Sequence, residues 1–399
     1  MSTLDSTAVR TETAAPLLGG HIRALDGLRG VAIALVLIGH FYPKILVIDS
    51  YPTIALFLGR LVRPCGYGVE LFFVLSGFLI TGILLDTKGE RGFLGKFYAR
   101  RTLRIFPLYY GALAVVLFVL PHFVAFDEGA QAIVARQAWL WTYLANWPTG
   151  WIWDDSNVFR LGHFWSLCVE EHFYIFWPLI VAFTSQRRII LVALGLIGVG
   201  LICRTAPLLG GAETPVIFTW LTLQKLDGLA IGAMLATALR DPDLMRFVPS
   251  GRTYRRLLGA FVFLSLTYVM LPHRLHHQAL DIAGETVIVI TFGLILLGTL
   301  KLRKGALWHR VMTSSSLVTL GKYSYGLYVI HGILRPAFER LFDFRHLPTS
   351  HGLSFLWMLL YYGLAISASL ALAYLSYHGF EKWFLKLKRH FDYSAKTVA

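Results

Sequence analysis

Hydrophobic positions in this chain fall in long blocks, with neither the alternation of a half-buried strand nor the one-sided stripe of a soluble surface helix. Stretches such as GVELFFVLSGFLITGILL (68–85), IILVALGLIGVGLIC (189–203) and TVIVITFGLILLGTL (286–300) approach the roughly 20 apolar residues that a helix needs to cross a hydrocarbon layer. The pattern predicts an all-α fold, a polytopic integral membrane helix bundle of about ten transmembrane helices. The expected spans are 28–47, 66–86, 106–126, 163–184, 188–207, 216–239, 255–271, 282–300, 316–336 and 353–379. Outside them, 1–20 reads as a flexible tail, 21–385 as one membrane domain and 386–399 as a basic tail.

Composition supports this division. Of 399 residues, 56% are hydrophobic and only 15% charged, and the mean hydropathy is +0.60. A soluble chain of this length would need more polar residues to cover its core. Most of the 37 Lys and Arg residues fall in the loops and tails that share a side with both termini, so the positive-inside rule places both ends in the cytoplasm. The net charge of +14 is then a topology signal facing anionic lipid and calls for no nucleic acid. Cys65, Cys168 and Cys203 have no metal-type spacing, so neither a zinc site nor a disulfide framework is indicated.

Residues 131–146 are apolar but short, and a span there would invert the charge pattern. They read as a re-entrant or interfacial segment on the outer face. Six of the eleven tryptophans lie between Trp139 and Trp165. They suit either an interfacial belt or an aromatic platform on which a sugar stacks, with Trp151 and Trp153 as its centre and Asp154 and Asp155 as hydroxyl acceptors.

Two ionisable residues in LDGLRGVAIALVLIGHF (25–41) raise the question of chemistry. Arg29 and His40 are eleven residues apart, about three turns, which puts them on one helix face some 16 Å apart. A histidine in a span either bonds to a neighbouring helix or marks a functional cavity. In HFWSLCVEEHFYIFWPL (163–179), His163, Ser166 and Glu170 share a face. Measured from the outer ends of their predicted spans, His40 and Glu170 lie at one depth of roughly 10 Å. The expectation is a His40–Glu170 pair, either a structural ion pair or the acid and base of a reaction, with Glu70 a third acid near it and Glu171 turned away. Small residues in SGFLITG and in GLAIGAML (228–235) suit close helix packing.

At this point the chain resembles the membrane-bound acyltransferase 3 family of O-acyltransferases, over about residues 21–385. The likeness rests on LDGLRGVAIALVLIGHF, where an arginine precedes a histidine by ten intervening residues. It rests also on GYGVELFFVLSGFLITGILL, FYARRTLRIFPLYY, HFWSLCVEEHFYIFWPL, QKLDGLAIGAMLA and LGKYSYGLYVIH, six blocks in the family's order. It implies transfer of an acyl group, commonly acetyl, from acyl-CoA to a hydroxyl of a saccharide, lipid-linked glycan or other small molecule, in a bacterial inner membrane and with no resident cofactor or metal. By position His40 is the catalytic histidine, Glu170 the acid, and Arg29, Arg101 and Arg104 the donor-binding set. Ser166, Glu70, Tyr325, Trp151 and Trp153 are expected near the substrates, and His331 closes the last block. Four positions depart from the family's pattern: Glu70 for aspartate, Cys168 for a small residue, His172 for glutamine and Lys225 for arginine. From the residues alone, the alternative is a proton-coupled transporter using His40 and Glu170 as a relay, against which no internal repeat is seen.

Overall fold

A computed structural model describes residues 21–42, 59, 62–147, 158–210, 221–271, 278–301, 305–343 and 351–393. Among them there is no strand, and helices occupy every segment in which a span was expected. We number the helices in chain order: α1 Arg23–His40, α2 Gly68–Thr87, α3 Phe93–Ala114, α4 Glu128–Ala135, α5 Ala138–Trp141, α6 Trp165–Phe183, α7 Gln186–Gly210, α8 Leu221–Gln224, α9 Leu226–Ala238, α10 Pro242–Met245, α11 Gly251–Met270, α12 Gln278–Leu300, α13 Leu307–Met312, α14 Ser315–Phe342, α15 His351–Ser376 and α16 Lys382–Lys386. Among the described residues, six stretches are long and apolar enough to cross a membrane: Arg63–Thr87, Phe93–His122, Gly162–Phe183, Gln186–Gly210, Leu280–Leu300 and Phe355–Phe391. The helices at the other four expected spans fall short because they are brief, as α9 is, or carry charge, as Arg23, Asp26 and Arg29 do on α1. Large apolar side chains point outward, among them Phe183 at 82% exposure and Leu209 at 87%, a surface suited to lipid and not to water.

Several boundaries differ from those expected from hydropathy. α1 ends at His40, seven residues before the predicted end, so the histidine occupies its last turn. α3 begins at Phe93, so Arg101 and Arg104 lie well inside a helix. The 131–146 segment forms two short helices and then turns at Tyr143, with φ of 57°. It is bolted to α3 where Tyr109 and Tyr110 donate to the carbonyls of Leu140 and Trp141 at 2.8 and 3.1 Å. Trp151, Trp153, Asp154 and Asp155 lie outside the described residues.

Two glycine-mediated contacts set the bundle's centre. α1 and α14 run parallel and touch backbone to backbone: a Cβ on Gly321 would stand 1.9 Å from the Asp26 carbonyl oxygen. Likewise a Cβ on Gly232 of α9 would stand 2.1 Å from the Val74 carbonyl oxygen of α2. The small residues of SGFLITG and GLAIGAML thus serve close helix contact, as their spacing suggested.

Candidate active site

The α1–α14 contact brings two polar pairs into register. At one end Arg29 Nη2 donates to Ser324 Oγ at 3.1 Å, and at the other the rings of His40 and His331 meet, Nδ1 to Nε2, at 2.8 Å. Seven residues separate Ser324 from His331, two helical turns that keep them on one face. The two pairs define the two ends of the site.

Around the arginine end, α1, α2, α3, α6 and α14 line a partly open cavity. Arg29, Arg101 and Arg104 all line it, together with Ser166, Glu170, Glu171 and Tyr325. Arg101 lies over the rings of Tyr174 and Phe97, 5.4 and 5.8 Å from their centroids. Among the described residues none of the three guanidinium groups forms a salt bridge. Buried guanidinium groups are ordinarily paired with acids, so this end of the cavity has a surplus of donors for an anion. Its α2 wall, from Val69 to Ile80, is apolar except for Ser76.

Glu170 belongs to this arginine end and not to His40. Its two carboxylate oxygens accept from Ser76 Oγ at 2.8 Å and Tyr174 Oη at 3.0 Å. The expected His40–Glu170 pair therefore does not form. The error lies in the helix ends: α1 stops at His40, and the residue of the α6 segment at that level is His163, whose ring centroid is 4.9 Å from that of His331. Glu170, seven residues on, sits about 10 Å further along the helix. Glu171, expected to point away, also lines the cavity, and its buried Oε1 has no hydrogen-bond partner.

At the opposite end of the cavity stand Ser166 and Tyr328, hydroxyl to hydroxyl at 2.6 Å. Tyr328 Oη donates to the His163 carbonyl at 2.9 Å, and its ring lies 5.5 Å from the rings of both His163 and His331. Tyr328 is therefore the side chain shared by the cavity and the histidine cluster. Tyr325, predicted near substrate, donates to the Ile105 carbonyl at 2.7 Å and fixes α14 to α3 beside Arg104.

Glu70 is placed apart from the cavity. It faces Lys225 at 3.4 Å, and Lys225 also meets Glu285 at 2.9 Å. Arg204 then joins Glu285 to Asp227, at 3.3 and 2.8 Å. This buried chain of charges ties α2, α7, α9 and α12 together. Two of the departures noted in the sequence, Glu70 and Lys225, are thus partners of each other. A third, His172, bonds through Nδ1 to Thr222 Oγ1 at 2.8 Å.

Sequence reasoning missed the C-terminal segment. Residues Leu387–Phe391, expected in a basic tail, fold against α3, where Arg100 Nη1 donates to the Lys388 and Phe391 carbonyls at 3.3 and 3.4 Å. Lys388 interacts electrostatically with Arg104, Arg101, Arg100 and Arg29, adding a fourth basic side chain to the neighbourhood of the three cavity arginines. Its run of Lys and Arg resembles any topology signal, so no local feature marked it.

The family model described as an acyltransferase domain matches residues 22–377. Among curated proteins, the chain is 26% identical over 332 residues to O-acetyltransferase OatA of Staphylococcus aureus strain NCTC 8325 / PS 47, a match covering 78% of this chain and 50% of that protein. It is 28% identical over 335 residues to a putative O-acetyltransferase of S. aureus strain COL, again covering 78% and 50%. The chain thus spans about half the length of the curated relatives it matches. No solved structure matches it.

Proposed function

Because this chain belongs to the acyltransferase family whose domain spans residues 22–377, we propose that it is an integral membrane O-acyltransferase. It moves an acyl group, acetyl by analogy with the relatives' names, from acyl-CoA to a hydroxyl of a saccharide or lipid-linked glycan. The observation that carries this reading is the division of the site into a cavity end with three guanidinium groups and, among the described residues, no acid in a salt bridge with them, and a histidine end one helix contact away.

Each part of the donor has a counterpart. Phosphates of coenzyme A are bound by guanidinium groups through planar, charge-assisted hydrogen bonds, which Arg29, Arg101 and Arg104 supply. The linear pantetheine arm follows the apolar α2 wall past Glu170 toward Ser166 and Tyr328. About 16 Å of rise separates Arg29 from His40, so the thioester reaches the histidine cluster while the nucleotide stays at the arginines. There His40 removes the acceptor hydroxyl's proton as its oxygen attacks the thioester carbonyl. The carbon–sulfur bond breaks, and the coenzyme thiolate takes the proton back from His40, leaving an ester and a free thiol. A base so placed contributes about 10²- to 10⁴-fold in rate, and the remainder falls to orientation and to stabilisation of the carbonyl oxyanion.

The arrangement in the membrane follows from charge. With both termini in the cytoplasm and about ten crossings, the arginine end opens to the cytoplasm, where acyl-CoA is found, and the histidine end faces outward in a bacterial inner membrane. Release of free coenzyme A from acetyl-CoA by purified protein, with an oligosaccharide pool from cell-envelope glycan as acceptor, tests the reaction. His40→Ala is expected to reduce transfer at least about 10²-fold with the protein still inserted and monodisperse. Turnover by this variant within three-fold of the wild type rules out the general-base role.

A further inference from the structure

The hydrogen bonds around His331 determine which nitrogen of His40 carries its proton. His331 is fully buried, at 0% exposure, and among the described residues no carboxylate contacts it, so it rests neutral. Its Nδ1 lies 3.1 Å from the Leu327 carbonyl oxygen. A carbonyl only accepts, so Nδ1 of His331 holds the hydrogen and Nε2 holds the lone pair. The 2.8 Å contact to His40 Nδ1 is then a bond in which His40 donates. With its proton on Nδ1, the neutral imidazole of His40 carries its basic lone pair on Nε2.

We propose that His331 is a positioning residue that holds His40 in the tautomer needed for base catalysis and shares the charge of the imidazolium that forms. It takes the place in which a catalytic triad has a carboxylate. The inference rests on the acyl-transfer reading given above. When the acceptor's proton arrives at His40 Nε2, the Nδ1–H bond to His331 becomes charge-assisted and shortens. When the coenzyme thiolate recovers that proton, the neutral pair is restored, with no net change at His331.

The surroundings hold this partner rigidly. The His331 ring lies 5.1 Å from that of His40 with 22° between planes, and 4.9 Å from that of His163. The edge of Phe41 closes another side at 6.1 Å. His163 is itself oriented by a bond from Nε2 to the Val329 carbonyl at 3.1 Å. It occupies space available only because residue 332 is glycine, where a Cβ would stand 2.2 Å from the imidazole. One imidazole bonds to His40, and a second packs against the first.

The test compares His331→Phe, His331→Gln and His40→Ala in the acetyl-CoA assay above. Phenylalanine fills the space without an acceptor, whereas the glutamine amide oxygen reaches about where Nε2 stood and accepts from His40. His331→Phe is expected to lower kcat by about 10²-fold with KM for acetyl-CoA unchanged, and His331→Gln to recover kcat to within about ten-fold of wild type. A purely structural role would lower the yield of folded protein or move KM, and would not be rescued by the amide. If His331→Phe turns over within three-fold of wild type, or a folded His331→Gln is as slow as His331→Phe, the positioning role is wrong. If His40→Ala keeps its activity, it is the acyl-transfer reading of His40 that fails, and the two failures are distinguished by which variant survives.

Discussion

Arg104 is the residue at which binding and topology make opposite demands. As a topology signal it contributes one positive charge, which lysine supplies equally. As a donor ligand it presents a planar fork to a phosphate, which lysine cannot reproduce. Among the described residues it has no salt bridge, and it lines the cavity together with Arg29 and Tyr325. Arg104→Lys is therefore expected to insert normally and to raise KM for acetyl-CoA about ten-fold, one bidentate contact's worth. A short acyl thioester lacking the nucleotide should be used as well as before. Equal KM values for acetyl-CoA in the wild type and the variant would reduce Arg104 to an orienting charge. Glu170 shows the same sensitivity to place: its bonds from Ser76 and Tyr174 hold it in the cavity that the three arginines line, although its sequence block alone suggested a partner for the histidine.

At the level of helices, the site depends on how near α1 and α14 lie. Arg29–Ser324 and His40–His331 both cross that contact, and the contact exists because Gly321 lets the Asp26 carbonyl approach. A leucine at 321 has no room to adjust against backbone, so its cost lies at or above the upper end of the about 1–3 kcal/mol typical of overpacking. Gly321→Leu should fail to give monodisperse protein, or give protein without transfer activity. Gly198→Ala on α7, where a Cβ meets nothing within 4 Å, is the matched control and should behave as wild type. Full activity in Gly321→Leu would mean that the two polar pairs do not need this spacing. The α2–α9 contact at Gly232 is of the same kind, but it supports the buried chain from Glu70 to Asp227 rather than the cavity.

For the whole molecule, the proposed orientation would turn the arginine end to the cytoplasm and the histidine cluster outward. Single cysteines test it directly, because Cys65, Cys168 and Cys203 are all buried and give little background labelling. Ser250 and Gln131 are both exposed and lie on opposite sides in the charge-based topology. In intact cells, a membrane-impermeant maleimide should label Gln131→Cys and leave Ser250→Cys unlabelled until the membrane is opened. The reverse pattern would invert the protein and place the arginine end outside, away from cytoplasmic acyl-CoA. The same orientation gives the C-terminal segment its setting: Leu387–Phe391 packs on α3 through Arg100 and brings Lys388 to the arginine end.

The sequence by itself determined the helical class, the segments that become helices, the arginine–histidine pair on one face of α1 and the family. Each is legible because it depends on residues close together in the chain: hydropathy over one span, charge in one loop, or the order of residues in one block. The tertiary structure decided which side chains meet. Depth measured from the ends of hydrophobic blocks placed Glu170 beside His40, but helix ends are set by turns and packing: the α6 segment begins at Gly162, close to where it was expected, while α1 stops at His40, seven residues short of the expected end. A shift of seven residues is two turns, about 10 Å, enough to move Glu170 from the imidazoles to the guanidinium groups. The bond that replaced it, His40 to His331, joins residues 291 positions apart. It exists because two glycine-lined helices pack closely in one register, which no stretch of sequence specifies alone.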